Sequence, residues 1–172
     1  AITLLNGRYP YGVEFSPKSS KVYVSSNNYL IQKDQTTFEG SNLFQFDLTS
    51  SNPASTITEI HNSDTHIAGA LQLAINGKIY RSKRRADALF NPGAILGEQS
   101  LSAIEKPDLM GNLAAYDHSA VDLAGGTTSE NGLPPFISSL FLLTFDYEFI
   151  CIGDSTHFFI TNDDDYESFI WD

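Results

Sequence analysis

Three consecutive carboxylates, Asp163, Asp164 and Asp165, form the densest group of potential metal ligands in the sequence. Hard cations such as Ca²⁺ bind several carboxylate oxygens, so a run of this kind can form a cation-binding turn. The spacing differs from that of an EF-hand loop, and the run contains no glycine. We therefore interpret it as a solvated turn between two strands, and we assign neither a metal site nor a cofactor.

The chain has four histidines, which are potential metal ligands or general bases. They are His61, His66, His118 and His157. No two of them have the spacing of metal-binding pairs on a recognisable element. His61 and His66 flank Asp64, which is the nearest approach to a metal-binding set. We predict that the histidines lie in loops.

The sequence has one basic cluster, formed by Lys83, Arg84 and Arg85, with Lys78 and Arg81 nearby. Such a cluster can bind a phosphate, a sulfated glycan or an acidic partner. A run of charges is more often a solvated segment. We therefore predict a solvated loop that follows a strand.

The motifs of nucleophilic catalysis and phosphate binding are missing from the sequence. There is no Gly-x-Ser-x-Gly elbow, and no Lys follows the glycine- and threonine-rich segment 125–128. Cys151 lies in a predicted strand without an adjacent histidine, which indicates a buried thiol, although a disulfide partner beyond residue 172 is an alternative. Tyr166 and Trp171 are a candidate carbohydrate-stacking pair. We predict that the chain is not an enzyme and has no catalytic residue.

Composition limits the partners of the chain. Its 172 residues carry a net charge of -11, which argues against nucleic acid because phosphates require a basic surface. No run of about 18 apolar residues occurs, so we expect no membrane span. Residues 145–172 contain eight acidic residues and no Lys or Arg, which suggests a domain boundary near residue 145.

A repeated hairpin organises the first part of the chain. Residues 13–24 (VEFSPKSSKVYV) recur in degraded form as residues 71–81 (LQLAINGKIYR), 57 to 58 residues apart. Both copies alternate apolar and polar residues, turn, and return as Lys, an apolar residue and Tyr. Repeats of this kind are typical of stacked-repeat or blade-by-blade proteins.

Alternation and turn residues predict an all-β fold. The predicted strands are residues 11–15, 21–25, 43–48, 56–60, 70–73, 78–81, 94–96, 101–104, 120–123, 136–141, 145–152, 156–161 and 168–171. Residues 27–40 and 83–92 are predicted loops, and residues 107–115 have room for one helical turn. Residues 120–123 are assigned to a third, less regular unit. The predicted core residues are Val13, Phe15, Val22, Tyr23, Leu71, Leu73, Ile79 and Tyr80. Gly12 and Gly69 are expected where backbones approach closely.

Several of these segments resemble the β-propeller-like repeat region of large surface and secreted proteins of Bacteroidetes. The segments are YGVEFSP (11–17), LFQFDL (43–48), GALQL (69–73), GKIY (77–80), LSAIEKPD (101–108), VDL (121–123) and GLPPFI (132–137). FICIGDSTHF (149–158) and YESFIWD (166–172) resemble the first strands of a polycystic-kidney-disease (PKD) domain and the approach to its Trp-Asp signature. In that family, type IX secretion or gliding-motility-associated sorting domains commonly follow.

The resemblance implies a partial β-propeller of two to three antiparallel blades over residues 1–144. It also implies an incomplete PKD- or immunoglobulin-like β-sandwich over residues 145–172, with Trp171 in its core. The implied function is a non-enzymatic scaffold, secreted or at the bacterial cell surface, that binds a protein or a carbohydrate. The alternative is an ancillary propeller of a larger exported hydrolase. A third possibility is a catalytic propeller whose central pocket contains Asp47 and Asp122.

A chain with two or three blades has blade faces that nothing covers. The sequence starts and ends within strand-like segments, so we expect a piece of a longer polypeptide. Bare blade faces favour association of one copy with another. We therefore expect a marginally stable chain, or one that self-associates.

Overall fold

Alternating apolar and polar segments of the chain form antiparallel strands. A computed structural model describes residues 8–33, 35–86, 97–133, 145–148 and 157–160. These residues contain two four-stranded antiparallel sheets, a separate two-stranded sheet and two short 3-10 turns. The predicted all-β fold class is therefore confirmed. No helix in these ranges has the length and apolar character needed to cross a membrane.

The first sheet is a simple meander in which each strand pairs with the next one along the chain. Its strands are β1 (Arg8–Phe15), β2 (Lys21–Gln32), β3 (Gln35–Asp47) and β4 (Thr58–Ser63). The second sheet repeats this order with β5 (His66–Leu73), β6 (Ile79–Arg85), β7 (Ser100–Ile104) and β8 (Tyr116–Asp122). The predicted hairpins at residues 11–25 and 70–81 are therefore the first two strands of two equivalent sheets.

The chain divides into two compact units, Ala1–Phe136 and Ile137–Asp172. Both four-stranded sheets belong to the first unit. The second contains β9 (Phe145–Glu148), which pairs with β10 (His157–Ile160). Both strands fall inside segments predicted as strands. The sequence-based boundary near residue 145 remains a prediction.

The main core lies between the two four-stranded sheets. Its buried members are Tyr23, Leu43, Leu71, Ile79, Ile104 and Ala114. Tyr23 and Leu43 come from the first sheet, and the others come from β5–β7 and the 3-10 turn at residues 111–114. Full burial of one such apolar side chain contributes about 1.5–3 kcal/mol. This core holds the two sheets face to face.

The opposite face of the first sheet carries a second apolar cluster. Val22 pairs with Phe46 and Val24 pairs with Phe44, and all four side chains are buried. Val13 pairs with Val24 and Phe15 pairs with Val22. Val13 is nevertheless 56% exposed and Phe15 is 49% exposed, so their assignment to the core is wrong. Both belong to β1, which is the edge strand and pairs with another strand of its sheet on one side only.

The predicted loop at residues 27–40 is wrong, because this segment extends the β2–β3 hairpin. Asn27 is polar but buried, and its amide forms two hydrogen bonds with the backbone of Ala68 in the other sheet, at 2.7 and 3.0 Å. Tyr29 pairs with Phe38 across the strands, with ring centroids 5.7 Å apart. Asn27 shows that a polar residue of this segment serves an inter-sheet contact within a strand, so the polarity of the segment does not indicate a loop.

Two further predictions are corrected by the second sheet. Lys83, Arg84 and Arg85 are the last residues of β6 rather than a solvated loop, and Lys83 is only 1% exposed. Residues 120–123, predicted to start a third unit, instead overlap β8 at the outer edge of the second sheet. The predicted strands at 94–96, 136–141 and 168–171 lie outside the described residues.

The two sheets approach each other closely at their first strands, which confirms the prediction of close backbone contact at Gly12 and Gly69. A Cβ at Gly12 in β1 would lie 2.9 Å from the Leu71 nitrogen and 3.0 Å from the Gly69 oxygen, both in β5. Ser25 Oγ, in the neighbouring strand β2, donates to the same Gly69 oxygen at 2.7 Å. The absence of side chains at Gly12 and Gly69 therefore allows direct backbone contact between β1 and β5.

Candidate functional site

A cleft of about 640 Å³ opens at the end of the second sheet where β5 begins and β6 ends. Its lining residues are Phe38, Asp64, Thr65, His66, Arg85, Ala86 and Glu98. They come from the β2–β3 hairpin, the β4–β5 connection, the start of β5, the end of β6 and the segment before β7. The cleft combines an aromatic ring, two carboxylates, an imidazole and a guanidinium, which is the mixture of surfaces that small polar ligands require.

His66 is held in the cleft by hydrogen bonds to both ring nitrogens. Its Nε2 lies 3.2 Å from Glu98 Oε2, and its Nδ1 lies 2.9 Å from Thr65 Oγ1. A hydroxyl, an imidazole and a carboxylate in series have the connectivity of a hydrolase triad. Thr65 is the preceding residue, however, and its hydroxyl also lies 3.3 Å from Ser63 Oγ. This network therefore fixes the orientation of His66 within the β4–β5 connection.

A row of three aromatic rings leads to the cleft along the first sheet. Tyr9 and Tyr29 have ring centroids 5.8 Å apart, and Tyr29 and Phe38 have centroids 5.7 Å apart. Tyr9 is 45% exposed. Burial raises the pKa of Tyr29, which outweighs the lowering effect of nearby Arg84. Aromatic rings with accessible surface and hydroxyl tips are suited to recognition of partly apolar, partly polar ligands.

Three histidines meet behind the cleft, between the two sheets. His66 and His118 have ring centroids 5.0 Å apart, and His118 stacks on His61 at 5.0 Å with an interplanar angle of 25°. His66 belongs to β5, His118 to β8 and His61 to β4. The prediction that these three histidines lie in loops is therefore wrong. His157 lies in β10, within the second unit.

Two buried cations accompany the histidines. Arg81 is 2% exposed and Lys83 is 1% exposed, and both belong to β6. Arg81 donates to Tyr116 Oη at 3.1 Å and to Ser41 Oγ at 3.4 Å. Lys83 donates to the His118 carbonyl and, at 3.4 Å, to Ser102 Oγ. All of these acceptors are neutral.

Burial lowers the pKa of three groups in this cluster. It lowers the pKa of His61 to about 4, with repulsion from Arg81 as the next cause. It lowers the pKa of His118 to about 4, with repulsion from Lys83 next. The pKa of Lys83 falls to about 8, again mainly because of burial. At neutral pH the two imidazoles are therefore uncharged and Arg81 carries a full positive charge.

The histidine cluster does not form a cation site. Among the described residues, no group of three or more His, Cys, Asp or Glu side chains is arranged to hold a metal ion. Arg81 and Lys83 would also repel a cation from this position. The weak hint of a metal site from His61, Asp64 and His66 is not strengthened, because Asp64 lines the cleft whereas His61 lies within the inter-sheet cluster.

The remaining candidate residues are separated from the cleft or lie outside the described ranges. Asp47 ends β3 beside Lys21, whereas Asp122 ends β8 beside Ser100, at opposite ends of the sheets. They therefore do not line one pocket together. Residues 163–165, Cys151, Tyr166 and Trp171 fall outside the described residues. The segment 125–128 follows β8 as a turn, in which Thr127 donates to the Ala124 carbonyl.

Sequence reasoning did not identify Phe38, Glu98 or the pairing of His61 with His118. The sequence does contain a signal for the position of Phe38. Tyr29 and Phe38 lie on either side of a polar turn, so the two rings can pair across a hairpin. Glu98 has none, since it reaches His66 across 32 positions of the sequence. No protein-family model, curated protein sequence or solved structure matches this chain, so the fold and this site rest on the chain's own residues.

Proposed function

We propose that the chain is part of a β-propeller-like scaffold that binds a ligand and does not transform it. One observation carries the proposal: an equivalent serine in each sheet donates to the backbone of the segment that follows. Ser25 Oγ donates to the Gly69 oxygen at 2.7 Å, and Ser82 Oγ donates to the Asn131 oxygen at 2.8 Å. Contacts repeated from one unit to the next are expected of stacked blades.

The sequence supports the equivalence of the two serines. Each lies four positions after a lysine, in KVYVS (21–25) and in KIYRS (78–82). A Cβ at Gly12 would meet Gly69, and a Cβ at Gly69 would lie 2.6 Å from the Asn131 oxygen. The Asn131 backbone therefore contacts the second sheet in the same way as the Gly69 backbone contacts the first sheet. This progression is what one more blade, beginning near residue 131, would require.

The cleft and its aromatic row support a carbohydrate or a peptide as the ligand. A sugar ring has apolar faces and hydroxyl edges, and the site offers the Tyr29 and Phe38 rings next to the Asp64 and Glu98 carboxylates. Carboxylates accept hydrogen bonds from hydroxyls or from peptide N–H groups. The acidic chain as a whole disfavours nucleic acid as the partner.

Binding is tested by screening the 172-residue chain on glycan and peptide arrays and titrating any hit by calorimetry. Phe38→Ala and Glu98→Gln should each weaken binding about tenfold or more, because each removes a contact worth about 1–3 kcal/mol. Asp108→Asn is the matched control, since Asp108 lines a different pocket near residues 105–109. A ligand that binds both cleft variants as tightly as the unmodified chain would exclude the cleft as its site.

A second candidate is an ancillary or catalytic part of an exported hydrolase. The observation that favours it is the presence of two carboxylates, Asp64 and Glu98, in one cleft. Paired carboxylates act as acid and base in glycoside hydrolysis. Turnover of an array-positive glycan that is abolished by both Asp64→Asn and Glu98→Gln would establish this function in place of binding alone.

Export, the PKD-like domain and self-association complete the proposal. Extracellular or surface location rests on the family resemblance. The antiparallel β9–β10 pair is compatible with the start of a small β-sandwich over residues 145–172. Self-association is supported by the exposed apolar side chains Val13 and Phe15 on the edge strand β1, where a second copy or a neighbouring blade can pack.

A further inference from the structure

The inter-sheet cluster has an uncompensated positive charge. Arg81 and Lys83 are almost fully buried, and no carboxylate within the described ranges lies close enough to form an ion pair with either. Two carboxylates, Glu98 and Asp117, act on Lys83 only through longer-range attraction, and Glu98 already pairs with His66 at 3.2 Å. Buried charges in proteins are normally paired, because the loss of hydration costs several kcal/mol per ion.

Three buried nitrogens of the same cluster have no hydrogen-bond partner among the residues that the structure describes. They are Arg81 Nε, His61 Nδ1 and His118 Nδ1. Tyr116 connects them, because its hydroxyl accepts from Arg81 and its ring lies 4.6 Å from the His61 ring. His61 in turn stacks on His118. Buried polar groups without a protein partner commonly mark the position of an unseen water or ion.

We propose that Arg81, His61 and His118 bind a small monovalent anion between the two sheets. The anion accepts a hydrogen bond from Arg81 Nε and from the imidazole N–H groups, and it balances the charge of Arg81 and Lys83. Neutral imidazoles can donate through Nδ1, so the site does not require protonated histidines. The anion then connects β4, β6 and β8 and stabilises the packing of one sheet on the other.

Charge and position define the class of anion. The cluster lies between packed sheets, so a halide or a single carboxylate group fits better than a bulky polyanion. The route of entry is the cleft, because His66 both lines the cleft and contacts His118. A free halide and the carboxylate of a ligand in the cleft share this chemistry, and chloride and acetate represent the two sources in the test.

The test measures thermal unfolding of the chain at pH 7 and constant ionic strength. Sodium chloride, sodium acetate and sodium isethionate are compared. Isethionate is a weakly hydrogen-bonding sulfonate, larger than acetate and without a carboxylate, and serves as the reference anion. A bound anion raises the stability of the folded state by mass action. We expect the unfolding midpoint in 100 mM chloride or acetate to exceed that in isethionate by about 2–5 °C. A larger effect of acetate assigns the site to a ligand carboxylate, and a larger effect of chloride assigns it to a structural halide.

Variants separate a specific site from a general salt effect. Arg81→Met should abolish the anion-dependent increment, whereas Lys106→Met, which removes an exposed lysine, should retain it. His118→Asn, which keeps a neutral side chain, is used if Arg81→Met does not fold. An increment that persists in both cluster variants would overturn the proposal, as would equal midpoints in all three salts.

Imidazole titration provides an independent measurement on the unmodified chain. A bound anion stabilises the protonated imidazoles, so nitrogen-detected NMR should show higher pKa values for His61 and His118 in chloride than in isethionate. Identical titration curves in the two salts would indicate that water alone occupies the site, and the proposal would then be wrong. Ligand binding at Phe38 does not enter this readout, so it is independent of the proposed scaffold function.

Discussion

His61 and His118 stack with ring centroids 5.0 Å apart, although they belong to different sheets and are separated by 57 positions in the sequence. Their contact links the outer strands β4 and β8 across the inter-sheet space. Both imidazoles have buried Nδ1 atoms, and both lie near Arg81 and Lys83. The stability of the two-sheet unit is therefore coupled to the protonation of this pair.

Acidification should destabilise the folded chain through His61 and His118. Their pKa values fall to about 4 in the folded state, against about 6.5 in the unfolded state, so the unfolded chain binds protons first. The contribution of the two neutral histidines to the unfolding free energy is fully present above pH 6.5 and is lost as the pH falls from 6.5 to 4. With allowance for solvent screening, each histidine contributes about 1–2 kcal/mol of this loss.

This pH dependence is measured by urea unfolding in sodium isethionate solutions buffered at pH 7 and pH 5. His118→Gln should reduce the difference in unfolding free energy between the two pH values, since glutamine does not titrate. An unchanged difference in that variant would assign the pH dependence to other groups.

Tyr23 should ionise well above the ordinary pKa of a tyrosine, and its hydroxyl should be important for stability. Burial raises the pKa of Tyr23 to about 12. The hydroxyl donates to the Pro107 carbonyl at 2.8 Å and accepts from Gln45 Nε2 at 2.6 Å. Tyr23→Phe removes both hydrogen bonds from the core, although Gln45 Nε2 still donates to the Leu109 carbonyl, and it should cost about 1–3 kcal/mol.

The measurement combines ultraviolet titration of tyrosinate with urea unfolding. The matched control is Tyr11→Phe, because Tyr11 is 52% exposed and should change the unfolding free energy by less than about 0.5 kcal/mol. Equal effects of the two substitutions would contradict the assigned role of the Tyr23 hydroxyl.

Gly69→Ala should disrupt the contact between successive units. A Cβ at this position would lie 2.6 Å from the Asn131 oxygen and 2.8 Å from the Ser82 oxygen, and both are backbone atoms. Neither can move without shifting the backbone, so we expect a loss of about 1–3 kcal/mol or more. Gly125→Ala is the control, because a Cβ there has no neighbour within 4 Å. Thermal unfolding is measured for both variants. A lower midpoint for Gly69→Ala alone indicates disruption of the contact between units, whereas equal losses indicate a general effect of replacing glycine.

Removal of apolar surface from β1 should reduce self-association. Phe15 is 49% exposed and lies in the edge strand, beside exposed Val13. Phe15→Lys places a charge at this edge and should increase the monomer fraction in sedimentation velocity at micromolar concentration. Leu113→Lys is the control, since Leu113 is 69% exposed on the 3-10 turn at residues 111–114 and away from the β1 edge. A monomeric unmodified chain would show that this face needs no partner in solution.

The sequence alone was sufficient for the fold class and for the hairpin repeat. Alternation in 11–15 and 21–25, and again in 70–73 and 78–81, predicts strands because side chains on a strand point to opposite faces in turn. Gly12 and Gly69 also indicated close backbone contact, since a missing Cβ is a local property. Each of these signals lies within a few residues of the feature that it predicts.

Tertiary structure decided which of these residues are buried and which of them meet. Val13 and Leu71 occupy equivalent places in the repeat, yet Leu71 is buried and Val13 is exposed, because the neighbouring sheet covers only one of them. Lys83 appears as a surface charge in the sequence and lies instead between two sheets. His61 and His118 come together only because β4 and β8 pack in the same inter-sheet space, and contacts between residues so far apart in the chain leave no periodic signal in the sequence.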